Sequence, residues 1–405
     1  MAGTRRFRAA FSPTVDCAIL VAALEKGFAA DEGVGLELIR MSAPSDILHA
    51  WSQERIDGAH LSASLPVSLA LLPSPEPRTD LIVPFILATG GSTLVVSNLL
   101  YDDLVEQGMK IPEPGSVSRA LSRIVIARQN AGLPRLTFAT EHPHSSSSYE
   151  LVYLIASARL AGHDDVAIRQ AASREMPHLL SKADIDGFYV GEPYGSAVVT
   201  EGAGRIVTTK SHIWQNGSEK ALAVSKAWAE ENEQTLDSLL RARYRAGEWC
   251  SAQANIEELA ELLAADLYLS CESERILPSL SGFIPNSPAR LLECPDFLAF
   301  SANAANFPWQ SQALWFFNQM VRRDECPAHY IADQAMREAA AEVFRPDIFR
   351  KALKPIFAPV PAANMKVEGA LSSRSPVGAY RAPLFLGPDA FFDGRVFDPD
   401  TLETI

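Results

Sequence analysis

Residues 7–41 read FRAAFSPTVDCAILVAALEKGFAADEGVGLELIRM, and the fold class turns on this stretch. Phe7–Phe11 predicts a strand, Cys17–Ala30 a helix ending near Gly33, and Leu36–Met41 a second strand. Ser45–Gln53 continues as a second helix with Ser45 or Pro44 at its start. Gly58–Leu61 follows as a short third strand and Leu65–Leu72 as a third helix. Alternation of this kind implies parallel βα units and a sheet covered on both faces. The chain is α/β.

Further out, the Pro/Ser cluster Pro73–Pro77 predicts a surface loop. Leu81–Leu87 and Thr93–Ser97 are β-rich and separated by the permissive bend Ala88–Ser92. A second α/β series follows. Leu136–Thr140, Gly187–Val190, Arg205–Thr208 and Ala221–Val224 predict strands, with helices at Ser147–Leu160 and Pro177–Ala183. Beyond residue 225 helices dominate: Lys226–Trp249, Ile256–Ala265, Gln310–Arg322, Gln334–Glu342 and Pro346–Leu353. The pattern predicts two α/β lobes, crossed near Ser92–Ser97 and again near Lys220–Val224. Residues 1–95 with 223–405 form the first lobe and 96–222 the second. Ligand sites favour the cleft between such lobes and the carboxyl ends of parallel strands.

Composition narrows the function. The 405 residues are 47% hydrophobic and 21% charged, as in ordinary globular chains, which excludes wholesale disorder. Thirty-six basic against 49 acidic residues leave a net charge of −13, so no direct nucleic-acid partner is expected. No apolar run reaches the roughly 18–20 residues of a membrane span. Arg5, Arg6 and Arg8 before the apolar run Cys17–Leu24 resemble a signal peptide. Pro13 and Asp16 interrupt that approach, and Glu25-Lys26-Gly27 closes the run. A folded N-terminus and cytoplasmic residence are expected, with periplasmic residence as the alternative if the true start lies upstream. Five scattered cysteines (Cys17, Cys250, Cys271, Cys294, Cys326) include no C-x-x-C pair and read as free thiols. His142 and His144 lack the spacing of a metal site, and no metal or cofactor is expected.

Nucleophile elbow, Walker A and dinucleotide-binding patterns are absent, and no nucleophile–base pair suggests an enzyme. Ser145–Ser148 follows a strand and opens a helix, so its amides and hydroxyls offer an anion-receptive turn. Lys220 begins a buried strand beside the second crossing. Its ammonium either serves a ligand, reaches solvent with little effect on stability, or pairs with Glu219 or Glu192.

Asp186-Gly187-Phe188-Tyr189-Val190-Gly191-Glu192-Pro193 resembles the nitrate- and bicarbonate-type solute-binding proteins of bacterial ABC importers. Ile213–Leu222, with Trp214 and Glu219-Lys220-Ala221-Leu222, looks like that family's "W…PEKAL" stretch. Asn306–Phe316 is similar to its "NxxxPxxSxxLWF" segment, and Phe391–Gly394 with Phe397-Asp398-Pro399 to its C-terminal signature. Glu25-Lys26-Gly27-Phe28 and Asp31-Glu32-Gly33 fit its N-terminal strand–helix. The resemblance covers essentially the whole chain. It implies a type II periplasmic-binding-protein fold with two crossover strands and a C-terminal extension wrapping lobe 1. It further implies a small anion, nitrate- or nitrite-like, as ligand. The chain looks closest to the cytosolic sensors that hold an antiterminator inactive until ligand arrives; an ABC permease is the alternative partner. The family's anion-binding lysine matches Lys220, and its "VGE" positions match Val190, Gly191 and Glu192. Ser147 stands where a ligand-binding histidine is expected, Ser92 where an amide is, and Pro44 where an aromatic is. Those departures imply room for a larger or differently shaped anion, or an amide-like ligand. The candidate set is completed by Ser145, Ser146, Thr93, Ser62 and Pro177.

Overall fold

The computed structural model describes residues 5–73, 80–158, 165–380 and 382–402. Most of the expected loop Pro73–Pro77 and the last two residues of the expected helix Ser147–Leu160 lie outside them.

Two mixed sheets form the framework. The first contains β1 (Arg5–Phe11), β2 (Val34–Arg40), β3 (Gly58–Ser62) and β4 (Leu81–Gly90). The second begins with β5 (Ser92–Ser97) and adds β6 (Thr137–Thr140), β7 (Ala167–Gln170), β8 (Gly187–Gly191) and β9 (Gly204–Thr209). The chain then returns to the first sheet as β10 (Ser218–Ser225). Strand order is Leu298–Ala299, β4, β10, β3, β1, β2 in the first sheet and β7, β6, β8, β5, β9 in the second. β1 runs parallel to β2 and β3, and β6 parallel to β7 and β8, as βα alternation requires. The strands that carry the crossings do not follow that rule. β10 is antiparallel to β3 and β4, and β5 antiparallel to β8 and β9. A strand that enters from the other lobe carries no crossover helix to set its direction.

The lobes therefore change at the ends of strands. The expected boundaries at 95/96 and 222/223 fall inside β5 and β10. The first crossing is Gly90-Gly91, with φ of 75° and 87°. A Cβ on Gly90 would stand 2.1 Å from the Phe297 carbonyl oxygen, so both backbone and space demand glycine there.

Several expected helices are divided or were overlooked. Cys17–Ala30 is a short 3₁₀ turn followed by Ala18–Glu25 and Phe28–Asp31, broken at Gly27 with φ of 78°. Lys226–Trp249 is two helices, Lys226–Glu231 and Glu233–Ser251. Asn98–Glu106, Pro114–Asn130, Tyr194–Thr200 and Ser273–Leu280 are helices that the pattern reading passed over.

The C-terminal extension docks on lobe 1 through Ser311, whose hydroxyl donates to Glu368 at 2.6 Å. It also reaches past lobe 1. Buried Trp214, in the return crossing, stacks on Phe391 at 5.3 Å and meets Trp315 at 4.4 Å. The Tyr153 hydroxyl, on the second lobe's helix Ser146–Ala156, donates to Asp393 at 2.8 Å. The extension thus ties lobe 1, the crossing and lobe 2 together.

Candidate functional site

Two lobes joined by two crossings turn the carboxyl ends of their parallel strands toward each other. Here β1 and β3 face β6 and β8, and direct hydrogen bonds close the gap. The Val15 N–H donates to the Glu192 carbonyl at 2.7 Å, and the Ser146 N–H to Ser62 Oγ at 2.7 Å. The Ser64 hydroxyl donates to the His144 carbonyl at 2.6 Å, and the Tyr194 hydroxyl to the Pro13 carbonyl at 3.1 Å. The cleft is closed.

At its centre, Lys220 Nζ of β10 donates to Glu141 Oε2 at 2.6 Å, across the lobes. Glu141 follows the end of β6, and Ser173 donates to its other oxygen. Asp16 lies in the turn after β1. Its Oδ1 accepts from the Thr14 hydroxyl at 2.5 Å and stands 3.0 Å from Nε2 of His60 on β3. All of these side chains are buried. Burial pushes the Lys220 ammonium down, but Glu141, Asp16 and Glu219 together hold it well above the ordinary lysine range. Burial pushes the Asp16 carboxyl up, and His60, Lys220 and Thr14 outweigh that and hold it below its usual value.

Lys220 pairs with a carboxylate, as one reading expected, though with Glu141. It does not reach solvent, and neither Glu219 nor Glu192 is its partner. Glu219, beside Lys220 at a register shift in the pairing with β4, meets a second buried network. There Glu219 lies 3.2 Å from Lys210 Nζ, and Lys210 also pairs with Glu150. The Tyr189 hydroxyl donates to Glu150 at 3.0 Å. Glu192 instead accepts from the Thr93 hydroxyl and the Ser196 N–H, both at 3.0 Å.

The remaining predicted positions divide. Ser62 and Ser146 meet across the cleft. Ser145 caps its own helix, accepting from the Ser148 N–H at 3.2 Å and standing 3.0 Å from Ser147 Oγ. The expected anion-receptive turn is therefore occupied by serine oxygens on Ser146 and Ser148. Ser92 and Gly191 are register partners at the joined ends of β5 and β8. Val190 packs into the second lobe's core. Pro44 and Pro177 are first-turn prolines of their helices, and among the described residues neither makes a hydrogen bond to the Lys220 cluster. Sequence reading missed Asp16, His60 and Glu141 as site residues. The available signal was a polar side chain inside an apolar run, Asp16 between Val15 and Cys17 and His60 between Ala59 and Leu61. Among the described residues no cluster of three or more His, Cys, Asp or Glu is placed to hold a metal.

The model of the NMT1-like family matches residues 2–264. The chain belongs to that family. It is 26% identical over 401 residues to the nitrate/nitrite binding protein NrtA of Synechococcus elongatus, covering 96% of this chain and 83% of NrtA. It is 26% identical over 348 residues to the nitrate import ATP-binding protein NrtC of Synechocystis, covering 85% of this chain; it spans about half of that longer relative, 49%. The periplasmic nitrate-binding protein NrtA from Synechocystis superposes with a TM-score of 0.82 at 19% identity, over 98% of this chain and 97% of that one. The fold is of the periplasmic-binding-protein type, as the sequence resemblance implied.

Two consequences follow for stability. Replacing Lys220 by Met leaves Glu141 and Asp16 buried without their cation, which costs about 3–5 kcal/mol in urea unfolding. A loss under about 0.5 kcal/mol is the signature of an exposed lysine and contradicts the buried pair. In the second network, burial raises the Glu150 carboxyl to about 7, against the pull of Lys210. The folded chain then keeps a proton that the unfolded chain releases near the ordinary glutamate value. Stability falls as pH rises through that window to about 7, by up to about 1.4 kcal/mol per unit. Glu150→Gln should flatten that slope in unfolding curves measured from pH 4.5 to 7; an unchanged slope refutes the assignment.

Proposed function

We propose that this chain is a solute-binding protein that holds a small planar oxyanion, of the nitrate, nitrite or bicarbonate kind, between its lobes. The observation that carries this is the buried Lys220 ammonium at facing strand ends, joined across the closed cleft to the opposite lobe. Relatives named as nitrate- and nitrite-binding support the ligand class. The chain acts by closing on its ligand and presenting the closed form to a partner. A ligand shifts that equilibrium only by its differential affinity for closed and open forms.

Its partner, in the finer reading, is an antiterminator regulator in the cytoplasm, and the chain is a sensor for nitrogen assimilation. The stretch Arg5–Glu25, signal-like in composition, folds as β1 and a core helix of lobe 1. Delivery to an ABC permease is the second reading, favoured by similarity to a nitrate import ATP-binding protein.

At 100 times its dissociation constant, nitrate, nitrite or bicarbonate stabilises the fold by about 2.7 kcal/mol, read as a melting shift of a few degrees. Stabilisation by uncharged organics alone refutes the anion reading. For the partner, residues 1–60 fused to a reporter active only after export should remain silent; efficient export replaces the sensor with the importer role.

A further inference from the structure

Resting on the solute-binding reading above, we propose that Asp16 is a specificity-determining residue. Its free oxygen selects a ligand that carries an O–H or N–H donor on the edge that meets it.

The carboxylates around Lys220 differ in how fully they are used. Glu141 has both oxygens engaged, one by Lys220 and one by Ser173. Asp16 has Oδ1 engaged by the Thr14 hydroxyl and 3.0 Å from Nε2 of His60, whose two ring nitrogens are themselves buried without a hydrogen-bond partner among the described residues. Asp16 Oδ2 is buried and receives no hydrogen bond among the described residues. It looks across the cleft at Gly191, where an added Cβ would stand 3.4 Å away. Ser92, the register partner of Gly191, has a buried hydroxyl that likewise lacks a partner among the described residues. Both orphans therefore lie at the same meeting point of the two lobes, one from each lobe. Buried polar atoms are almost always paired, so two orphans facing each other from the two lobes can be satisfied by one group that bonds both.

The chemistry of that group follows from what each atom can do. An ionised carboxylate oxygen only accepts, so its complement must donate. Lys220 only donates, so the same ligand must present an acceptor there. A serine hydroxyl tolerates either. Nitrate and nitrite have acceptor edges only, and set against Asp16 Oδ2 they bring two acceptors together. A planar carbonyl compound that keeps a proton satisfies both sides. Hydrogencarbonate has one O–H, and urea has N–H groups on a similar Y-shaped frame.

This gives a ligand series of nearly constant shape and varied hydrogen content. Dissociation constants are measured for the full chain by calorimetry with nitrate, nitrite, bicarbonate at pH 8, and dilute urea. Bicarbonate should bind at least 10-fold more tightly than nitrate and nitrite. Asp16→Asn keeps an oxygen for Thr14 and turns the free edge into a donor, so it should bring the ratio to within threefold or reverse it. If D16N does not fold, the wild-type ratio decides alone. Nitrate binding as tightly as bicarbonate overturns the role of Asp16 and leaves the anion reading standing. Urea binding with no response to any anion supports the donor requirement and overturns the anion reading. No response to any of the four overturns both.

Discussion

The Lys220–Glu141 ion pair joins the lobes where both present their strand ends, and the arrangement of the cleft depends on it. Taking two charges from water costs several kcal/mol each, and their attraction offsets this only when geometry is good and the remaining lone pairs are filled. Both conditions hold here. The 2.6 Å contact is direct, Ser173 fills the second Glu141 oxygen, and Asp16 adds a second negative charge that favours the ammonium. The pair also fixes register between the sheets, because Lys220 sits on β10 opposite Ser62, and Ser62 bonds the helix start at Ser146.

β10 is the element that makes this possible. Glu219 and Lys220, consecutive across a register shift in its pairing with β4, reach two buried networks that feel each other's charge. One holds the cleft, and the other binds the second lobe's helix Ser146–Ala156 through Lys210 and Glu150. Just before β10, Trp214 packs against the extension at Phe391. The return crossing is therefore clamped on each side. The outward crossing is held differently, by Gly90 pressed against the Phe297 backbone and Gly91 against the Leu298 side chain.

Much of the fold was legible because βα units announce themselves locally, through short apolar runs followed by helical spacing. Strand direction around the crossings was not, because β4, β5, β9 and β10 take their neighbours from chain crossings rather than from a local pattern. Pro114–Asn130 was legible and passed over: Val117, Leu121, Ile124 and Val125 lie on one buried face, and Pro114 marks its start. At the site, Lys220 could be found, as a lone cation opening an apolar strand beside a crossing. Its partner could not, since Glu141 lies 79 residues away and only lobe closure brings it near. Asp16 was seen only as an interruption of an apolar stretch, although a charge embedded between core residues signals a buried partner.

The closed cleft also limits how a ligand can act. Neutral hydrogen bonds cross it, Val15–Glu192, Ser146–Ser62, Ser64–His144 and Tyr194–Pro13 among them, each worth about 1 kcal/mol net of the water that replaces it when the lobes part. The ion pair is likewise exchanged for hydration on opening. Closure without ligand is thus held by several kcal/mol, and a ligand changes it only by its differential affinity for the two forms. A ligand that only replaced Glu141 on Lys220 would trade one contact for another and move the equilibrium little. Differential affinity has to come from groups that converge only on closure: Lys220 and Asp16 from the first lobe, Ser92 and the Gly191 backbone from the second. A ligand that touches both sets binds the closed form better than either lobe alone, and the polar atoms left over at that junction are where such contacts remain to be made.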